Sequence, residues 1–198
     1  MRRITLLAAA AALVATAGTA PAQTPQFALD VRGGYAIPTG DWNEDDTFDN
    51  GFGFGANVMA MVTPQIGIYA GWETFEFGVD EDEPGVEADA TDAGFRGGVS
   101  VNIPLAQSPN ITPFVEAGVL YNTLEIGASG GGTSVEIESE EALGFEGGVG
   151  VAVALGERLS VVPMVRYRQH DVEFEDLEGG DTESIQYVVV GVGLRLRL

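Results

Sequence analysis

The chain has 198 residues and a formal net charge of −21, because 30 acidic residues outnumber 9 basic ones, yet 45% of its residues are hydrophobic and 28 are glycine. A chain this apolar is not a disordered acidic tail. Its surplus of negative charge would repel a phosphate backbone, which excludes nucleic acid as a partner. The absence of cysteine excludes disulfides, thiolate catalysis and cysteine-ligated metal sites.

The first 22 residues have the pattern of a secretory signal peptide. Arg2 and Arg3 precede an apolar run over 6–14, and small residues follow up to Ala22. A membrane-anchoring helix, the alternative, needs about 20 apolar residues, and Gly18 helps to cut this run short. We therefore expect a cleaved leader over 1–22 and, at this length, a single mature domain over 23–198.

The rest of the chain repeats a pattern of alternating apolar and small or polar residues, separated by breaks. We predict eight β-strands, at 26–37, 51–62, 66–77, 92–103, 111–124, 142–154, 158–170 and 184–198. The intervening breaks alternate between short turns and long acidic segments, and the long ones are 38–50, 78–91, 125–141 and 171–183. An even number of strands with this alternation predicts an all-β, antiparallel, up-and-down barrel.

Charge separates completely between the two faces of these strands. In 92–103 one face carries Phe95, Val99 and Val101, while the other carries Asp92 and Arg96. A basic side chain at the lipid face costs about 2–4 kcal/mol near the bilayer midplane, so an uncharged face fits contact with hydrocarbon. The opposite, glycine-rich face then points inward, and it holds Asp30, Arg32, Glu73, Asp92, Arg96, Glu116, Glu146, Arg166, Arg168, Arg195 and Arg197.

Aromatic residues mark one rim of the predicted barrel. They lie on the apolar face at the strand ends next to the long acidic breaks, as expected for rings at a membrane interface. These residues are Tyr35, Phe52, Phe54, Trp72, Phe95, Tyr121, Phe145 and Tyr167.

These features resemble the small eight-stranded outer-membrane β-barrel family of Gram-negative-type bacteria, which includes the OmpA transmembrane domain, OmpX and the opacity-type proteins. The resemblance covers residues 26–198 and includes segments such as 94–99 and 112–118. It implies a bacterial outer-membrane location, outer-membrane lipid as surroundings, a monomer, and insertion by the barrel-assembly machinery. Family members commonly end in an aromatic residue that this machinery reads, and Leu198 departs from that pattern.

The interior is expected to be plugged, since eight strands enclose a space that side chains just fill. Folding each hairpin about its centre places Glu73 opposite Arg96, and Glu146 opposite Arg166 and Arg168. We expect these charges to form ion pairs because unpaired charges are costly to bury. A narrow ion-conducting pore is the alternative interpretation of the same array.

The long breaks carry clusters of acidic residues, which the family resemblance assigns to the outside of the cell. The clusters are Asp41, Glu44, Asp45, Asp46 and Asp49; Asp80 to Glu83; Glu136 to Glu141; and Asp171 to Asp181. Divalent cations are candidate partners there because calcium takes carboxylate oxygens. Asp46 stands where an EF-hand loop needs glycine, so the cation-site assignment stays open and a solvated anionic collar is the simpler interpretation.

Catalytic chemistry has little support in the sequence. His170 is the single histidine, and Ser184 lies across the break 171–183 from it, with Asp171 and Asp181 nearby. Such a trio permits a lipid-modifying site at the rim, but the chain has no G-x-S-x-G, H-E-x-x-H or phosphate-loop motif. We expect no enzyme and no cofactor, and instead a role in envelope structure, surface adhesion or partner binding. A soluble, lipocalin-type barrel is a third alternative, which the charge pattern opposes.

Overall fold

A computed structural model describes residues 26–43, 48–79, 86–130, 133–173 and 182–198. The predicted signal peptide lies outside these ranges. The described strands are β1 (Gln26–Pro38), β2 (Phe48–Met61), β3 (Ile66–Val79), β4 (Val86–Asn102), β5 (Ile111–Gly130), β6 (Thr133–Glu138), β7 (Ala142–Ala154), β8 (Leu159–Glu173) and β9 (Thr182–Arg197). A short 3₁₀ helix, Gly40–Asn43, follows β1. None of the described helical residues forms a segment long and apolar enough to cross a bilayer.

The strands form a closed antiparallel barrel. Each of the eight long strands pairs with its neighbours along the chain, and β1 pairs with β9 to close the sheet, with Asp30 opposite Arg195. The predicted eight-stranded up-and-down barrel is therefore confirmed. We call the end with connections 62–65, 103–110 and 155–158 the turn end, and the opposite end the loop end.

The prediction of an acidic loop over 125–141 is wrong for most of that segment. β5 continues to Gly130 and then pairs with β6, with Glu125 opposite Glu138. Ile126 and Ile137 pack against the apolar cluster inside the barrel, while the adjacent Glu125, Glu136 and Glu138 face solvent. This alternation stabilises a hairpin that extends the wall beyond the barrel at the loop end.

The outer surface of the barrel is apolar. Val31, Val99, Val149 and Val165 are between 43% and 57% exposed, whereas Arg96 is only 3% exposed. A soluble barrel buries its apolar face and exposes its charges, so the lipocalin-type alternative is wrong. Belts of exposed valine, leucine and isoleucine are what contact with hydrocarbon requires.

The interior of the barrel has three regions along its axis. An apolar cluster that includes Trp42, Phe77 and Tyr187 occupies the loop end. Ion pairs fill the middle, and a cavity lies at the turn end. Glycine makes room for the middle layer, because a Cβ added at Gly55 would collide with the Cγ of Glu73.

The charged lumen as candidate functional site

Arg96 is the centre of the ion-pair layer. Its guanidinium donates hydrogen bonds to Glu146 (Nε to Oε1, 2.8 Å), to Glu73 (Nη1 to Oε1, 3.2 Å) and to Glu116 (Nη2 to Oε1, 3.2 Å). A further contact joins Nη2 to Oε1 of Glu146. The group also lies 4.7 Å over the ring of Tyr69, whose hydroxyl donates a 2.8 Å hydrogen bond to Glu146. One cation thus holds three carboxylates from three different strands.

Two arginines on β8 complete this layer. Arg166 Nη1 lies 2.7 Å from Glu73 Oε2 and 3.3 Å from Glu146 Oε2. Arg168 lies 3.8 Å from the same two carboxylates, through Nη1 and Nε respectively. The structure therefore brings together the residues that the sequence predicts as pairs, Glu73 with Arg96 and Glu146 with both β8 arginines.

A second branch runs toward the turn end. Arg32 donates to Glu116 (Nη1 to Oε1, 3.0 Å) and to Asp30 (Nη2 to Oδ2, 3.1 Å). Arg195 donates two hydrogen bonds of 2.8 Å each to the Asp30 carboxylate. This fork geometry is the strongest form of arginine–carboxylate contact.

Arg197 does not join this network. It is exposed at the turn end and has no ion pair among the described residues. Its side chain lies on the inward phase of β9 and lines the cavity at the turn end beside Arg195, so it faces the lumen at the barrel mouth without an ion pair. Of the other ten charges, Arg195 is half-buried and nine are buried.

Asp92 lies in a separate polar cluster nearer the loop end. Its carboxylate accepts hydrogen bonds from the Tyr187 hydroxyl (2.5 Å) and from Asn122 Nδ2 (2.6 Å). Arg168 donates to the same tyrosine oxygen at 2.7 Å, so the tyrosine links Asp92 to the ion-pair layer. The His170 ring is buried, with Nε2 3.4 Å from Asp92 Oδ1.

The structure does not bring the suggested catalytic residues together. His170 points into the barrel, whereas Ser184 lies on the outward face of β9 and accepts a 3.1 Å hydrogen bond from Gln186 Nε2. Asp171 is exposed opposite Ser184. Asp181 lies outside the described residues. Since His170 and Ser184 occupy opposite sides of the wall, they cannot act as base and nucleophile of one site.

An apolar plug closes the loop end above the charges, and sequence reasoning missed it. Trp42, from the 3₁₀ helix after β1, lies with its ring centroid 4.6 Å from Phe48, 4.7 Å from Phe77 and 6.0 Å from Tyr187. Its side chain is only 2% exposed. The sequence does contain a signal that could have predicted the plug. It is a tryptophan inside an otherwise acidic segment, together with phenylalanines on the inward face of β3.

The predicted aromatic girdle lies on the outer surface. Seven of its members are exposed, and Tyr167 is half-buried. Neighbouring rings contact each other across strands, with centroids 4.8 Å apart for Tyr35 and Phe52 and 6.4 Å apart for Phe54 and Trp72. Such a ring of aromatics marks where the hydrocarbon layer ends.

Carboxylates crowd the extended hairpin beyond the girdle. Glu125, past Tyr121 on β5, is exposed beside Glu136 and Glu138 on β6. Repulsion from Glu136, with smaller effects of desolvation and of Glu138, raises the pKa of Glu125 above its ordinary value. No group of three or more histidine or carboxylate side chains with metal-binding geometry occurs in the described part of the chain. Much of the predicted acidic clusters lies outside the described part of the chain, at 44–47, 80–85 and 174–181.

Comparison with solved structures finds the same architecture at low sequence identity. A major outer membrane protein from Thermus thermophilus is 15% identical, with a TM-score of 0.58, covering 89% of this chain and all of that one. Neisserial surface protein A is 12% identical, with a TM-score of 0.56 and coverages of 88% and 97%. Escherichia coli outer membrane protein W is 18% identical, with a TM-score of 0.52 and coverages of 87% and 97%.

Comparison with curated proteins finds no match. The model of a protein family, described as the outer membrane protein beta-barrel domain, matches residues 7–197. The closed barrel, its apolar outer surface and this match agree, and the chain belongs to the outer membrane protein beta-barrel domain family, whose place is the bacterial outer membrane.

Proposed function

We propose that this protein is a non-catalytic scaffold that presents acidic loops at the cell surface, where it acts in envelope structure, adhesion or partner binding. The observation that carries the proposal is the double closure of the lumen. The ion-pair layer around Arg96 fills the middle of the barrel, and the plug around Trp42 fills the loop end.

The ion-pair layer opposes the alternative of a narrow pore. A permeating ion would have to displace guanidinium groups that each contact two or three carboxylates. Breaking a buried pair from one side costs about 3–5 kcal/mol. Above this layer, the Phe77 ring packs against the Tyr187 ring, and the Tyr187 hydroxyl is already hydrogen-bonded to Asp92 and Arg168.

The loop end is proposed to face the exterior, as in the family. Its described acidic residues include Asp89, Glu125, Glu136 and Glu138, which are all exposed. Neisserial surface protein A, which shares the fold, is by its name a surface protein.

Anionic loops beside anionic lipid headgroups require screening, so we propose divalent cations as partners that act by screening. Calcium at constant ionic strength should then leave thermal stability unchanged, whereas a large saturable rise would indicate specific sites.

The rim-enzyme alternative loses its main support because His170 and Ser184 lie on opposite sides of the wall. We propose that His170 is structural and that no cofactor is needed. We further propose export by the leader over 1–22, insertion by the barrel-assembly machinery, and a monomer surrounded by lipid.

Planar-bilayer recording tests the scaffold proposal. Refolded protein, shown to be inserted by its heat-dependent migration on gels, should give no stepwise current. The double variant Trp42→Ala, Arg96→Ala should conduct, because it removes the centre of each closure. Regular current steps from the parent protein would contradict the proposal.

A second experiment tests surface presentation. An epitope inserted after Gly130, at the tip of the β5–β6 hairpin, should be detected on intact cells, and detection only after permeabilisation would contradict surface presentation.

A further inference from the structure

A cavity of about 630 Å³ lies at the turn end of the barrel, beneath the ion-pair layer. Residues 104–106 and 108–110 of the β4–β5 connection form one side of it, and the Asp30–Arg195 pair lies toward its inner end. The volume falls in the range of small-molecule sites, roughly 300–1,000 Å³. On the proposed orientation, this cavity faces the periplasm.

One part of its wall is suited to a short apolar chain, although polar side chains such as Gln26, Thr112 and Ser160 also line it. Met59 and Met61 on β2 line it together with Ala28, Ala152 and Ala154. Methionine is flexible and polarizable, so it adapts to ligands of different shape. The small alanine side chains on the other strands leave the space open.

The charge of the cavity is opposite to that of the rest of the protein. No aspartate or glutamate belongs to its described lining, although the chain has a net charge of −21. Arg195 and Arg197 both line it. Asp30 neutralises Arg195 through two hydrogen bonds, whereas Arg197 has no ion pair among the described residues. The cavity therefore presents a guanidinium that is free to bind an anion.

Asn102 supplies a second polar group on the wall. Its Oδ1 is buried and has no hydrogen-bond partner within the described structure, and its Nδ2 is 4.0 Å from the sulfur of Met61. Buried polar atoms are normally paired. Because Oδ1 accepts hydrogen bonds, a hydroxyl or N–H donor on the body of a ligand would satisfy it, whereas an anionic head would have to bind elsewhere on the wall.

We propose that this cavity is a binding site for a small organic carboxylate with a short apolar chain. The carboxylate binds Arg197, and the chain lies against Met59 and Met61. Nucleotides fit poorly because one free guanidinium cannot neutralise several phosphates.

Methyl NMR of the mature protein in lipid nanodiscs tests the proposal. Methionine methyls labelled with ¹³C report Met59 and Met61 in the cavity and Met164 outside its lining. Titration with hexanoate should shift the first two signals saturably and leave Met164 unchanged. Hexanamide and hexylammonium, which have similar chains without negative charge, should bind much more weakly. Equal shifts with all three probes would indicate simple partitioning and would overturn the proposal.

A matched pair of variants isolates the guanidinium. Arg197→Gln should weaken hexanoate binding about tenfold, the loss expected for a charged hydrogen bond. Arg158→Gln should leave affinity unchanged, because Arg158 lies at the same end, with its carbonyl accepting a 2.8 Å hydrogen bond from the Arg197 amide, but does not line the cavity. Equal affinity in both variants would overturn the assignment to Arg197. Ala152→Phe, which fills the cavity, should abolish the shifts, and unchanged binding would contradict the site.

Discussion

Arg96 on β4 donates a 2.8 Å hydrogen bond from Nε to Oε1 of Glu146 on β7, although 50 residues separate them in sequence. The two strands are not neighbours, since β5 lies between them in the sheet. Backbone pairing cannot hold such strands to each other directly. The contact therefore braces the barrel across its interior, and its removal should weaken the whole structure.

Glu146→Gln should lower the stability of the folded barrel by about 3–5 kcal/mol, because it leaves buried arginines with less compensating charge. Glu146 contacts Arg96, Arg166 and Arg168. The temperature at which the folded gel band disappears in detergent measures the effect. Glu157→Gln is the control, since this residue is exposed in the 155–158 turn. A melting profile identical to that of the parent would refute the bracing role.

Val149→Arg should destabilise the protein in lipid by about 2–4 kcal/mol, the cost of a basic side chain near the bilayer midplane. Val149 is 57% exposed on the outer face of β7, between the girdle residue Phe145 and the turn end. Reversible unfolding by guanidinium in lipid vesicles measures the change. Val149→Leu should have little effect. If both variants unfold at the same denaturant concentration, hydrocarbon does not contact this face.

The two tryptophans should respond oppositely to lipid-borne quenchers. Trp72 is 41% exposed on the outer surface, whereas Trp42 is 2% exposed inside the plug. Brominated lipid should quench the fluorescence of a Trp42→Phe variant, which retains Trp72. It should leave a Trp72→Phe variant nearly unquenched, and aqueous iodide should also fail to quench that variant. Strong iodide quenching of Trp42 would contradict a closed plug.

The β5–β6 hairpin should lose stability as pH rises. Repulsion from Glu136 raises the pKa of Glu125 in the folded protein, so protonation is more favourable in the folded than in the unfolded chain. The corresponding stability is present below the unfolded pKa and is lost as pH rises through the folded value. Carboxyl ¹³C titration should show the raised pKa at low salt and a return toward the ordinary value in Glu136→Gln. High salt should reduce the difference, because Glu125 is exposed. A titration of Glu125 that is the same in parent and variant would contradict the coupling.

Strand prediction succeeded where alternation was uninterrupted and failed where glycines and glutamates concealed it. The segment 92–103 separates charge from apolar residues without exception, and β4 contains most of it. The hairpin at 125–138 has the same period, but exposed glutamates and a glycine-rich turn make it resemble a loop. Its strand character depends on Ile126 and Ile137 finding the apolar cluster inside the barrel.

The ion pairs were predictable only between strands that adjoin. Hairpin folding places Glu146 beside Arg166 and Arg168, because β7 and β8 are paired. It cannot place Glu146 beside Arg96, or Arg32 beside Glu116, since those pairs cross the lumen. The position of Trp42 could not be predicted either. A connecting segment has no strand alternation that assigns its side chains to the inside or the outside, so the closed barrel decides where Trp42 packs.

The sequence by itself determined that this chain forms a closed barrel with its apolar side outward, because strand periodicity assigns every side chain to one of two faces and charge cannot lie in hydrocarbon. Only the tertiary structure decided how the interior is arranged: which carboxylate each arginine contacts, the tryptophan plug at one end, and the positively charged cavity at the other. The physical reason is that these contacts join residues distant in the chain, and their geometry depends on barrel closure and on strand register, which local pattern does not encode.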